Sequence, residues 1–289
     1  MPEPRFHNRR SRRPLALAVG AGLLLLAWIG CHEGSRDAEA FTSAGVTHLQ
    51  QQQYDRAIRD FDRALALQPG LVVAWKNRAL AHRGLRDYER ALADYDQATL
   101  FAPTDARLVT ERGATYVLLD DYQKALREFD RAIALKPDNV PALESRGRVH
   151  FYLGNFAQAA ADLQRALTMD STDAYGALWL HLVRRRLRQD DRPDLEAHAA
   201  AMDTTQWPAP LVRYLLGRLA YDSLRVAATA AEVKGQKQGC VAAFYLGEEA
   251  LMMEETDEAM TLLGETRDSC PKELSEYKGA VAELRRIAR

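Results

Sequence analysis

Seven histidines and three cysteines are the side chains of this 289-residue chain best suited to bind a metal, relay a proton or form a covalent bond. No two histidines stand as H-x-x-x-H, the spacing that would aim two imidazoles from one helical face at a metal ion. G-x-S-x-G, a glycine-rich phosphate loop and a Cys/His pairing are likewise missing from the sequence. The expectation is therefore no catalytic residue, no metal ligand and no cofactor. Cys240 and Cys270, two thiols with no nearby histidine, make half a metal site. A disulfide or a pair of buried thiols acting as small hydrophobes remains for them. Three histidines do recur regularly: His48, His82 and His150 fall on a 34-residue grid, with Tyr116 at the fourth point. Such spacing reads as packing within a repeated unit.

The grid belongs to a longer phrase. "DFDRALALQP" at 60–69 returns as "DYDQATLFAP" at 94–103, as "EFDRAIALKP" at 128–137 and, fainter, as "DLQRALTMDS" at 162–171. Four units follow, 38–71, 72–105, 106–139 and 140–173. Their eighth place is small (Gly45, Ala79, Gly113, Gly147), as is their twentieth (Ala57, Ala91, Ala125, Ala159), while the twenty-fourth is bulky (Phe61, Tyr95, Phe129, Leu163). Pro69, Pro103 and Pro137 close three of the units, because proline removes a donor and clashes with the preceding turn. Apolar residues spaced three and four apart, broken at "QQQYD", "LRDYE", "LDDYQ" and "LGNFA", make each unit a helical hairpin. One hairpin leaves an apolar side uncovered, and identical neighbours stacked on it cover that side.

This pattern resembles the tetratricopeptide repeat (TPR), which implies an all-α solenoid of helical hairpins wound as a right-handed superhelix. Weaker helical traces run over 174–239, a further TPR-like hairpin over 240–273, and a terminal helix over 274–289 is expected to cap the stack with a polar outer side. In the 240–273 hairpin the two cysteines take places one and thirty-one, adjacent in an antiparallel pair, which allows the disulfide without excluding separate thiols. First helices should line a concave, partner-binding wall. Its inward residues are expected to be Val73, Lys76, Leu80 and Arg83, then Arg107, Thr110, Ala114 and Val117, then Glu144, Arg148 and Phe151. The wall is mixed in charge. Repeat arrays that clamp a chaperone's terminal carboxylate need Lys, Asn and Arg at set inward places, and only Lys76 fits, so that role is set aside.

The formal net charge of -1 hides a basic start, five arginines against Glu3 within residues 1–30. No basic face for nucleic acid follows from the remainder. "RRSRRPLALAVGAGLLLLAWIGC" instead has the layout of an export signal, basic and then apolar, too short to span a bilayer comfortably. Two ends for it compete. "AEA" at 38–40 offers ordinary cleavage, whereas "WIGC" at 28–31 resembles a bacterial lipoprotein box, which would place a lipid on Cys31. An uncleaved anchor is the third possibility. Residues 1–30 are then a signal or anchor and 31–37 a short linker.

"ALWLHL", "WPAPLVRYLLGRL", "FYLGEEALM" and "EYKGAVAEL" stand in the order of comparable phrases in the NlpI-like TPR lipoproteins of the bacterial envelope, with Trp179, Trp207, Pro208 and the stretch 244–247 the least generic parts. That resemblance implies a non-enzymatic adaptor facing the periplasm, with outer-membrane attachment favoured and a homodimer possible. It also implies protein partners, namely peptidoglycan hydrolases and a processing protease. Another envelope complex is the alternative client, and a cell-wall hydrolase the alternative class.

Overall fold

The computed structural model describes residues 35–202, 206–229 and 232–288, all helix and turn with no strand among them. Residues 1–34, and with them the signal segment and Cys31, lie outside the described residues. Two compact units divide the chain, Met1–Phe101 and Ala102–Arg289.

The first unit carries α1 (35–50), α2 (Tyr54–Leu67), α3 (Val72–Gly84) and α4 (Tyr88–Phe101). Helix α1 already includes residues 35–37, which the sequence reading assigned to a linker, so a cut after Ala40 would remove part of it. The second unit carries α5 (Ala106–Leu118), α6 (Tyr122–Leu135), α7 (Val140–Tyr152), α8 (Phe156–Met169), α9 (Ala174–Arg186), α10 (Arg192–Ala201), α11 (Ala209–Leu215), α12 (Tyr221–Thr229), α13 (Glu232–Met252), α14 (Thr256–Ser269) and α15 (Ser275–Ile287).

Each hairpin closes the way its sequence demands. The side chains of Asp105, Asp121, Asn139 and Asp173 accept from backbone N–H groups at the starts of α5, α6, α7 and α9, satisfying donors that a helix start leaves open. At the inter-helix turn the chain passes through the left-handed region, at Gln52 (φ 58°), Arg86 (62°), Asp120 (56°) and Gly154 (80°), always place fifteen. Between the helices, the small eighth place meets the bulky twenty-fourth. A Cβ on Gly113 would lie 2.7 Å from the Phe129 ring, and one on Gly147 would lie 2.9 Å from Leu163. Phe61, Phe129 and Leu163 are accordingly fully buried, and so is Tyr95 beside Ala79 and Ala91.

The array departs from the sequence reading after residue 173. Arg188 (φ 55°) sits 34 residues beyond Gly154, so α9 and α10 form a fifth hairpin in phase rather than an irregular segment. Its side-chain pattern hides it: place eight is His181, and the proline that closes earlier units is replaced. Irregularity begins at α11, seven residues long, with its turn at Gly217. The hairpin placed at 240–273 also starts earlier, since α13 begins at Glu232.

Cys240, in α13, and Cys270, just after α14, are joined by a disulfide, with Cα atoms 5.8 Å apart. The bond closes a loop with a sequence separation of 30, which by chain entropy contributes about 3–4 kcal/mol. Cys240→Ser with Cys270→Ser is expected to lower unfolding stability by that amount in urea titration, and dithiothreitol should do the same to the wild type. Equal stabilities with and without reductant would refute the assignment. Among the described residues, no helix is long and apolar enough to cross a membrane.

Candidate interaction surface

In the first unit the expected wall is open along α3. Val73 is 49% exposed, and Lys76, Leu80 and Arg83 are half-buried along the same strip. Arg83 is steadied at its guanidinium, where Nη1 donates to Tyr95 Oη at 3.4 Å. Trp75 lies under Arg78, with the guanidinium carbon 4.6 Å from the ring centroid, which stiffens the helix that presents the strip.

In the second unit the wall divides. On α5, Arg107 is exposed and Ala114 and Val117 are half-buried. Thr110 is not available: it is 8% exposed and accepts from Asn139 Nδ2 at 2.9 Å. On α7, Phe151 is fully buried and Glu144 and Arg148 face each other at 3.6 Å. The reason for the α7 difference is the last helix. Rather than showing only a polar outer side, α15 packs on α13, α14 and α7. Tyr152 Oη donates to the Ser275 carbonyl at 3.1 Å, Lys278 Nζ pairs with Asp120, and Arg286 donates to the carbonyls of Phe151 and Tyr152. The Arg286 guanidinium also lies over Phe151 and Phe156, 5.4 and 5.2 Å from their centroids. Thus α15 occupies the inner side of α7, and no partner reaches Phe151 there.

In each unit a set of ion pairs runs beneath the wall and across the hairpins. Arg78, Arg112 and Arg146 hold place seven of successive units, and each grips the acid sixteen residues on, Asp94, Glu128 or Asp162. Arg146 donates Nε and Nη2 to the two Asp162 oxygens at 2.7 and 2.6 Å, and Nη1 to Asp130 of the preceding hairpin at 2.6 Å. Arg78 repeats the arrangement with Asp94 and Asp62. The signal was present as arginine at place seven and acid at place twenty-three, but a spacing of sixteen is not one that helix periodicity highlights.

The recurrent histidines are part of the same packing. Asp60 accepts from His48 Nδ1 at 2.7 Å, and His82 Nε2 stands 3.8 Å from Asp94. Burial lowers the pKa of His82 and of His150. Among the described residues, no group of three or more His, Cys, Asp or Glu side chains could hold a metal ion.

A second charged cluster locks α15. Glu248 of α13 is fully buried and Glu283 of α15 nearly so, with Arg186 and Arg286 beside them; Arg186 Nε is 3.1 Å from Glu248. Burial, reinforced by Glu283 and opposed by the two arginines, pushes the Glu248 carboxyl up to about 8. Between the ordinary carboxylate range and that value the unfolded chain releases a proton that the native state keeps. Stability contributed here is present at low pH and is lost as pH rises through this window. Urea titrations at pH 5 and pH 8 are expected to show a decline that Glu248→Gln abolishes. An unchanged decline in the variant would assign it to other groups.

Comparison with known proteins bears on the fold. Profiles of the tetratricopeptide repeat match residues 42–107, 81–144 and 120–200, which together exceed half of the chain. A comparison with curated proteins finds no match. Among solved structures, pilF of Pseudomonas aeruginosa is 17% identical over 87% of this chain and 99% of its own, with a TM-score of 0.52. MamA protein is 16% identical over 58% and 93%, with a TM-score of 0.52. YrrB, described as a TPR protein with an unusual peptide-binding site, is 16% identical over 65% and 95%, with a TM-score of 0.50. At these identities the likeness is one of fold.

Proposed function

Since the chain belongs to the tetratricopeptide repeat family, whose stacked hairpins serve as protein-interaction scaffolds, we propose that it is a non-catalytic adaptor of the bacterial envelope. Its clients in this reading are peptidoglycan hydrolases and a processing protease. The observation that carries it is the open α3 strip, where exposed Val73 adjoins Lys76, Leu80 and Arg83 on a rigid helix pair. A strip that alternates apolar and basic side chains suits an extended or helical client segment bearing acidic residues. Holding two clients on one scaffold raises their effective concentration, which needs no reacting group on the scaffold.

Export supports the same reading from the other end of the chain. A basic, apolar start followed by Cys31 has the order of a lipoprotein signal, and the Cys240–Cys270 bond suits an oxidising compartment. Lipid on Cys31 would tether the adaptor at a membrane, facing the periplasm, with the outer membrane favoured.

The test is capture from envelope extract on the immobilised full-length chain. Wall hydrolases and a protease are expected on the wild type and depleted about tenfold on Val73→Glu/Lys76→Glu, the ratio for losing one apolar and one charged contact. Recovery of neither enzyme class overturns the client assignment. Mass measurement of the mature N-terminus, in wild type and Cys31→Ala, reads the anchor separately: an acyl adduct on Cys31 is expected, and a chain beginning at Phe41 would refute it.

A further inference from the structure

The first hairpin lacks a contact that later hairpins make. In the second unit the arginine at place twenty-six, Arg131 or Arg165, donates to the carbonyl of the proline that closes the repeat before it, Pro103 or Pro137. Arg63 holds the same place in the first hairpin, but no hairpin precedes α1 among the described residues, and the residue 28 positions back is Ser35, the first of α1. Arg63 accordingly makes no hydrogen bond among the described residues. Its side chain is 63% exposed, stands 3.8 Å from Asp60 and lies over the Phe41 ring, 5.5 Å from its centroid.

Two more arginines stand beside it. Arg56, Arg59 and Arg63, spaced three and four apart, share one face of α2, and all three are exposed. Arg59 has no hydrogen bond or ion pair among the described residues, and Arg56 donates only to Gln53 Oε1 at 3.1 Å. With His48 of α1 and Asp60, the three line a groove of about 310 Å³. Asp60 already accepts from His48 Nδ1 at 2.7 Å, and Asp62 is engaged by Arg78. Asp55, exposed beside Arg56 in the adjoining groove, is the remaining acid of this face. Three guanidiniums therefore meet two carboxylates, and the groove is net positive even with His48 uncharged.

We propose that this groove binds the phosphate headgroup of an anionic phospholipid, laying the first unit against the membrane to which the chain is tethered. A guanidinium presents paired N–H donors that match two phosphate oxygens, and here they are accessible and almost without partners of their own. Position selects a lipid as the source of the anion. Cys31 stands four residues ahead of α1 in the sequence. Four extended residues and the turns of α1 up to Phe41 keep Arg63 within about 30 Å of a lipid carried on Cys31. The start of the chain does not supply the anion, since residues 1–30 hold five arginines against Glu3. This inference rests on the tether of the proposed function.

The experiment is flotation of the full chain with vesicles of phosphatidylcholine alone and with phosphatidylglycerol added. The arginines of residues 1–30 are the same in every variant, so differences between variants report on α2. Arg56→Gln/Arg59→Gln/Arg63→Gln is expected to weaken the phosphatidylglycerol-dependent binding about a hundredfold, at about fivefold for each charge. Arg59→Gln alone should cost about fivefold with an unchanged urea midpoint, which separates lost binding from lost folding. Arg127→Gln, at an exposed arginine of α6, should leave binding as in the wild type. Equal binding by wild type and triple variant, or an equal loss in Arg127→Gln, would overturn the proposal. So would a glutamate hexapeptide that displaces the vesicles and depends on the same arginines, because the groove would then be a site for acidic protein segments. A failed tether shows separately, as loss of binding to phosphatidylcholine alone.

Discussion

Trp179→Ala is expected to lower the unfolding free energy of the second unit by about 3–5 kcal/mol, a large share of the 5–15 kcal/mol that holds a typical domain together. The indole is 1% exposed and sits at the centre of an aromatic group from α7, α9 and α13. Its ring lies 5.2 Å from Phe151 on α7, 5.4 Å from Phe244 on α13, and 6.2 and 6.3 Å from Tyr152 and Tyr245. Gly279 of α15 lies so close that a Cβ there would stand 3.3 Å from the indole and 2.6 Å from Phe244. Truncation therefore opens a cavity bordered by three hairpins and the last helix at once, and none of them can collapse into it without disturbing another. Urea titration supplies the magnitude, and limited proteolysis supplies the location, since cleavage before α15 should accelerate in the variant. Trp179→Phe, which keeps an aromatic edge toward Phe151, should lose less. A wild-type urea midpoint for Trp179→Ala would mean that this cluster does not hold the unit together.

Arg146→Met comes second, with an expected loss of about 3–5 kcal/mol. Arg146 satisfies both Asp162 oxygens and one of Asp130, and Asp162 is 6% exposed, so removing the cation strands a buried carboxylate. The asymmetry makes the prediction specific. Replacing both partners, Arg146→Met with Asp162→Leu, should restore much of the loss, because an apolar pair avoids the desolvation that the ions incur. A thermodynamic cycle over the two single variants and the double one measures the coupling. Additive losses would show that Arg146 acts through its aliphatic stem alone. Asp130 is 60% exposed at its side chain, so Asp130→Asn is expected to cost under about 1 kcal/mol.

The repeats were legible because each depends on contacts within 34 residues. Gly113 against Phe129 and Pro137 after α6 are statements about one hairpin, and a single sequence writes the small-against-bulky pair four times and the proline three. The fifth hairpin escaped notice because His181 and Ala197 replace the small and bulky signals while the backbone turn at Arg188 keeps its place. Of the residues expected on the wall, those along α3 are open to solvent, whereas Thr110 and Phe151 are buried. Thr110 is closed off by one side-chain hydrogen bond from Asn139, the residue that caps α7. Phe151 is closed off by α15, whose return to α7 no local pattern could announce: amphipathic spacing shows that 275–287 has an apolar face, not which surface will receive it. Arg78, Arg112 and Arg146 were visible as letters but invisible as contacts, since charged residues on helices are usually solvated and these are aimed across the hairpin.

The return of α15 to α7 changes how the second unit must fold. In an open row of repeats every contact is local, folding starts anywhere and spreads, and an end can fray alone. Here Lys278 meets Asp120 and Arg286 meets Tyr152 across 158 and 134 residues of chain. Closing so long a loop costs entropy before any of those contacts form, which places the event late and slows it relative to hairpin formation. Once closed, the fourth hairpin and the C-terminus melt together, so the row behaves as a ring with no free end on that side.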